Sequence, residues 1–161
     1  MPLIRNGEEV ENTWIHVESG EAGVTPNGIT VPLEAFLEKT DALLARNTPL
    51  GVRLSPDDDP LRLDGHLERL SLIEVEFPKY TDGRGYSAAQ LLRRRLCYRG
   101  ELRAVGHVLR DQLLYMHRSG FDAFETSRAQ ITSFEEALRE FSSFYQPAAD
   151  GAQHVFARRH S

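Results

Sequence analysis

The sequence contains a single cysteine, Cys97, among its 161 residues. An internal disulfide is therefore impossible, which excludes a small secreted scaffold stapled by disulfides. The six histidines, at 16, 66, 107, 117, 154 and 160, form no H-x-x-x-H, and no C-x-x-C exists, so the spacing of a structural zinc site is missing. No apolar stretch approaches the roughly 20 residues needed to cross a bilayer. The opening run MPLIRNGEEV lacks the charged-then-apolar layout of a secretory signal, and a cytoplasmic location is expected. Catalytic signatures are sparse as well. There is no G-x-S-x-G for a serine nucleophile and no G-x-x-x-x-G-K-[ST] phosphate loop. The G-x-G at Gly83–Gly85 is not followed by the third glycine of a dinucleotide fingerprint, and no bound cofactor is expected.

What is present reads as globular: 40% apolar and 27% charged residues, without repeats, low-complexity tracts or long linkers. The length suits one domain spanning 1–161, with a core over about 30–145 and a loosely ordered tail at 146–161. The net charge of −5 argues against nucleic-acid binding, but it is unevenly spread. Residues 1–83 carry a net −9, residues 84–118 a net +6 and residues 119–161 a net −2. A basic middle in an acidic chain suits a small anion or an acidic partner surface. Its plainer reading is a set of solvated helix faces, as for Arg93-Arg94-Arg95.

The apolar pattern alternates between strand and helix. Thr13–Val17 is a short strand candidate among turns, including PNG at Pro26–Gly28, and suits an edge strand or hairpin. Leu33, Phe36, Leu37 and Leu44 share one face of a helix starting after Pro32 and reaching about Arg46. Gly51–Leu54, Leu72–Phe77, Leu102–Val105 and Phe121–Phe124 read as strands. Helices are expected from Ser87 (with Gln90 a capping box) to near Gly100, over Val108–Ser119 before Gly120, and from Ser133 with Glu136. The last carries the stripe Phe134, Leu138, Phe141 and Tyr145, core or a homodimer interface. Alternating elements of this kind imply an α/β fold of βαβ units with a mainly parallel sheet, either open or a partial barrel. Sites on such sheets lie at the C-terminal ends of the strands.

The loop after Phe77, Pro-Lys-Tyr-Thr-Asp-Gly-Arg-Gly-Tyr-Ser87, occupies such a place. Gly83 and Gly85 suit a tight turn and close approach of an anion to backbone N–H groups. Lys79 and Arg84 add charge, and a helix starting near Ser87 adds free donors and its dipole. The plainer reading is a turn at Asp82-Gly83, with Arg84 paired to Asp82 or another nearby acid. A second candidate is GELRAVGHVLRDQ, where Arg110, Asp111 and Gln112 open a helix after a strand and suit a cleft shared with Arg84. Otherwise Asp111 merely complements the helix dipole. His107 beside them is a candidate proton donor, and Cys97 reads as a packing residue.

FPKYTDGRGYS, YRGELRAVGHVLRDQL and RSGFDAFE, in this order and spacing, resemble the bacterial domain of unknown function 934 family over roughly residues 50–145. Members of that family are described as involved in sulfite reduction, because their genes sit beside that of a sulfite reductase haemoprotein. The resemblance implies as characteristic Phe77, Pro78, Thr81, Asp82, Gly83, Arg84 and Tyr86, then Gly100, Glu101, Arg103, Gly106, Arg110, Asp111 and Gln112, then Gly120, Phe121 and Asp122. His107 stands where an acidic residue is expected in relatives. The expectation is an accessory protein or oxidoreductase component of assimilatory sulfite reduction. It would bind a small oxyanion through Lys79, Arg84, Arg103 and Arg110, or dock to the sulfite reductase haemoprotein. The rival is a cofactor-independent enzyme for a phosphorylated or carboxylated small molecule, with Asp82 and Asp111 as candidate catalytic carboxylates.

Overall fold

The computed structural model describes residues 2–19, 27–78 and 83–145, the last five of these by their backbone alone. The strands are β1 (Leu3–Arg5), β2 (Glu8–Val10), β3 (Ile15–His16), β4 (Ile29–Pro32), β5 (Leu50–Leu54), β6 (Leu72–Phe77), β7 (Glu101–Gly106) and β8 (Ala123–Glu125). The α-helices are α1 (Leu33–Glu38), α2 (Thr40–Leu44), α3 (Arg84–Gln90), α4 (Leu113–Ser119) and α5 (Ile131–Tyr145). The sheet runs β2-β1-β8-β7-β6-β5-β4-β3. From β3 to β8 the strands are parallel and in chain order, while β1 is antiparallel to both β8 and β2.

Parallel strands that follow chain order, joined by right-handed crossovers, always step the same way and place their helices on one face. The result is a curled open sheet, a half-barrel. Its helix-covered face is apolar: Ile29, Val31, Val52, Ile73, Leu102 and Phe124 are buried there, in one cluster with Phe36 of α1 and Phe134 of α5. The N-terminal hairpin turns at Asn6-Gly7, both left-handed at φ 55° and 82°. Those values suit the two-residue turn that Asn-Gly favours, a sequence signal that would have placed β1 and β2 directly.

Several expected boundaries shift, for local reasons. The helix after Pro32 breaks at Lys39, because the Thr40 hydroxyl donates to the Phe36 carbonyl at 2.6 Å. α3 starts at Arg84 rather than Ser87, whose hydroxyl lies within the first turn and donates to the Gly83 carbonyl. α5 likewise starts at Ile131, two residues before Ser133. The helix expected over Val108–Ser119 is a 3-10 turn at Arg110–Gln112 followed by α4, which left-handed Gly120 ends. Phe134 and Leu138 of the α5 stripe are buried, while the side chains of Phe141 and Tyr145 and the tail from Gln146 lie outside the described residues, as does Pro26. Among the described residues no helix is long and apolar enough to cross a membrane.

After Gln90 the helix widens into a π turn over Leu91–Arg95, then reverses at Cys97, which takes φ 57°. This turn overturns two sequence readings. Cys97 is exposed rather than packed, because the reversal leaves it outside the helix–sheet contact. Arg93 is not part of a solvated face. Only 9% of its side chain is exposed, while Arg94 and Arg95 on the same turn face solvent. Arg93 Nε donates to the Gly120 carbonyl, one terminal nitrogen donates to both the Tyr98 and Gly100 carbonyls, and the other meets the Asp122 carboxylate. Asp122 in turn accepts from the Leu102 N–H. One guanidinium thus ties the end of α3, the entry to β7, the end of α4 and the entry to β8.

Removing it would take this donor from three carbonyls and the guanidinium charge from a mostly buried carboxylate. Arg93→Ala is expected to cost about 3–5 kcal/mol of stability in urea unfolding, as for other half-broken buried pairs. Arg93→Lys should recover only part, since an ammonium lacks the planar fork, and Arg94→Ala should stay within about 0.5 kcal/mol of the parent. Equal costs at 93 and 94 would refute the clamp.

Candidate functional site

The C-terminal ends of the parallel strands carry most of the residues that the sequence singles out. Lys79 and Asp82, with Tyr80 and Thr81, lie outside the described residues. Gly83 caps α3 at φ −80°, a backbone any residue adopts. Gly85 is needed for a different reason than a tight turn: a Cβ there would come within 2.6 Å of the Phe77 ring. Gly106, at φ 90°, also lies against Phe77, whose carbonyl would be 2.5 Å from an added Cβ. Phe77 anchors this edge, packing on Tyr86 and on Phe121 with ring centroids at 5.3 and 5.6 Å.

Arg84 sits at the first turn of α3 with 54% of its side chain exposed. It donates at 2.7 Å to Asp57, in the acidic turn after β5. Asp57 is 88% exposed, so this pair adds little stability. Arg110, 46% exposed, turns the other way, toward α5: its Nε meets the Ser133 carbonyl at 3.4 Å and its terminal nitrogen lies 3.8 Å from Glu140. Asp111 is exposed and makes no hydrogen bond or ion pair among the described residues, and Gln112 is half-buried. His107 donates its backbone N–H to the Phe77 carbonyl. The two arginines flank the edge and diverge, one drawn toward β5 and the other toward the helix after β8.

Between them α3 and α4 meet through Tyr86 and Tyr115, whose rings stand edge to face at 4.7 Å. Burial, and then the neighbouring Tyr115, push the Tyr86 phenol above its ordinary pKa. Tyr115 is 57% exposed and Leu109 38%, two of the three exposed large apolar side chains among the described residues. The edge therefore presents an apolar strip between divergent charges. Sequence reasoning passed over both residues, because an apolar residue in a helical run reads first as core.

Arg103 lies elsewhere. It projects from β7 to the face of the sheet that carries no helices, 1% exposed, in register with Glu74 of β6, which is itself opposite Arg53 of β5. Arg53 donates to Glu74 at 3.0 Å, and Arg103 lies 3.8 Å from Glu74 and 2.7 Å from Glu101. Arg103 also donates to the Asn12 side chain at 3.3 Å, from the segment between β2 and β3. Three adjacent strands thus carry a row of alternating charge, a cross-strand pairing that fixes register. Its sequence signal is the period-2 placement of Glu74 and Glu76 in LIEVEF, and of Glu101 and Arg103 in ELRAVG.

Glu125 of β8 faces the same row. Burial first, then the negative charge of Glu74, raise its carboxyl above the usual range, against the pull of Arg53 and Arg103. A raised folded pKa means that the folded protein holds this proton more firmly than the unfolded chain. Its contribution to stability is full below the ordinary glutamate value of about 4.3 and is lost as pH rises through the folded value. Glu125→Gln removes that titration. The parent should therefore lose stability relative to the variant as pH rises above about 4.3, measured as urea midpoints. Equal pH slopes would refute the assignment.

No curated protein matches the chain, and no solved structure does. A family model described as "Bacterial protein of unknown function (DUF934)" matches residues 51–156, from the start of β5 through all three motif blocks. With two thirds of its length covered and the motif residues gathered around β6, β7 and β8, the chain belongs to the DUF934 family of bacterial proteins of unknown function.

Proposed function

We propose that this protein is a cytoplasmic accessory component of assimilatory sulfite reduction that docks to the sulfite reductase through the C-terminal edge of its parallel strands. The pathway comes from the family resemblance in the sequence. The mode of action rests on one observation: Arg84 and Arg110 diverge around the exposed Leu109 and Tyr115 instead of converging on a ligand. An enzyme acting on a small phosphorylated or carboxylated molecule would use its cations together, on one bound group. A docking surface has the opposite design, an apolar centre with charges at its rim. An oxidoreductase role, within this reading, is delivery of electrons or assembly of the partner rather than ownership of a redox centre, since the sequence carries no cysteine set for an iron–sulfur cluster.

The test is affinity capture of the full chain from cells growing on sulfate, with growth of a gene-deletion strain as a second readout. The parent should retain the sulfite reductase. Tyr115→Ala and Arg84→Glu should each lower recovery about tenfold, the effect of losing a central contact or reversing a rim charge. Both variants, and Asp111→Ala, should slow growth on sulfate while leaving growth on cysteine unchanged. Arg84→Glu and Asp111→Ala should also keep the parent's melting temperature, and Tyr115→Ala, which gives up its ring contact with Tyr86, should keep the parent's circular dichroism spectrum. Absence of the reductase from parent captures, or normal growth of all three variants on sulfate, would overturn the reading.

A further inference from the structure

At the opposite ends of the same strands lies a cleft of about 240 Å³, lined by Arg5, Asn6, Arg93, Arg99, Gly100, Glu101 and Asp122. We propose that this cleft binds a small divalent oxyanion between the guanidinium groups of Arg5 and Arg99. The proposal is independent of the docking reading and stands on different residues.

The charges decide it. Both acids in the lining are already engaged from within the fold. Glu101 gives one oxygen to Arg5 at 2.9 Å and the other to the buried Arg103 at 2.7 Å, and Asp122 is held by Arg93. Setting Arg103 against Glu101 and Arg93 against Asp122 leaves Arg5 and Arg99 as two positive charges in excess. Arg5 is 46% exposed and its remaining N–H groups have no partner among the described residues. Arg99 is exposed and makes no hydrogen bond or ion pair there.

The backbone around Arg99 is fixed in advance. The carbonyls on either side of it, those of Tyr98 and Gly100, both accept from the same terminal nitrogen of Arg93. The Tyr98 hydroxyl is anchored in turn on the Leu70 carbonyl at 3.1 Å. Holding a loop in its binding conformation before the ligand arrives lowers the ordering cost of binding. Asn6, held left-handed in the β1–β2 turn, also lines the cleft. Two guanidinium forks supply the charge-assisted donors that a tetrahedral or dicarboxylate dianion accepts.

The test uses the isotope-labelled full chain, titrated with sulfate, phosphate or malonate and followed by amide chemical shifts, with sodium chloride at matched ionic strength as control. Saturable shifts centred on Asn6, Arg99, Gly100 and Glu101 with any of the three dianions are expected, and the one that saturates lowest identifies the ligand class. Arg99→Ala should weaken that binding at least about tenfold without changing the melting temperature, because its side chain holds nothing else in place. Arg84→Ala should leave it unchanged. Shifts that follow chloride equally, fail to saturate with all three dianions, centre on Gly83–Ser87, or persist in Arg99→Ala would each overturn the proposal.

Discussion

The guanidinium of Arg93 is the fixed point around which this half-barrel closes. It arises from the most irregular stretch of the chain, a π turn that rolls Arg93 inward and leaves Arg94 and Arg95 in solvent. Its acceptors come from both loops that lead into β7 and β8, and from the last turn of α4. A rigid planar fork meets those acceptors at once only if the strands enter in one register. The π turn, the left-handed Cys97 and Gly120, and the order of the central strands are therefore parts of a single arrangement. A Cβ at residue 120 would press within 2.6 Å of the Arg93 side chain, so glycine there serves both the helix end and the clamp.

The strand order carries a second consequence. When every crossover steps the same way, the helices cover one face only, and the other face must be specified by the sheet itself and by whatever segment crosses it. Here that face carries Arg53, Glu74 and Arg103 in register, with Asn12 reaching in from the N-terminal segment. Buried ion pairs of this sort are a weak source of net stability, since desolvation offsets much of their attraction. Their effect is on alignment. A slip of β7 by one residue against β6 would turn Arg103 into the apolar core, bring Leu102 out of it and leave Glu74 without its cross-strand partner.

The strands were the legible part of the sequence. Gly51–Leu54, Leu72–Phe77 and Leu102–Val105 coincide with β5, β6 and β7 to within a residue at either end, because buried parallel strands leave short apolar runs between turn signals. Helix starts were less legible. A serine followed three residues later by glutamine or glutamate marks a cap at Ser87 and Ser133, yet both serines sit inside a first turn that had already begun. The long-range pairings of the charged side chains were not legible at all. Arg93 with Asp122, Arg84 with Asp57 and Arg103 with Asn12 join residues 29, 27 and 91 positions apart, and nothing local announces such partners.

The family motifs divide accordingly. Phe77, Gly85 and Gly106 form one packing unit at the C-terminal edge, and Gly100, Gly120 and Asp122 belong to the Arg93 clamp. Glu101 and Arg103 belong to the buried charge row and its extension to Arg5. These residues are accounted for by the scaffold, so their recurrence across motif blocks says little about chemistry. Function is left to what the scaffold holds out to solvent. At one end of the strands that is Arg84, Leu109, Arg110, Asp111 and Tyr115; at the other it is Arg5 and Arg99. The first set is spread and partly apolar, which suits a protein partner. The second is cationic and lines one cleft beside the clamp, which suits a small anion. A protein with both would carry an anion site and a partner surface on opposite ends of one rigid parallel sheet, joined through the strands β6 and β7 that the motifs share.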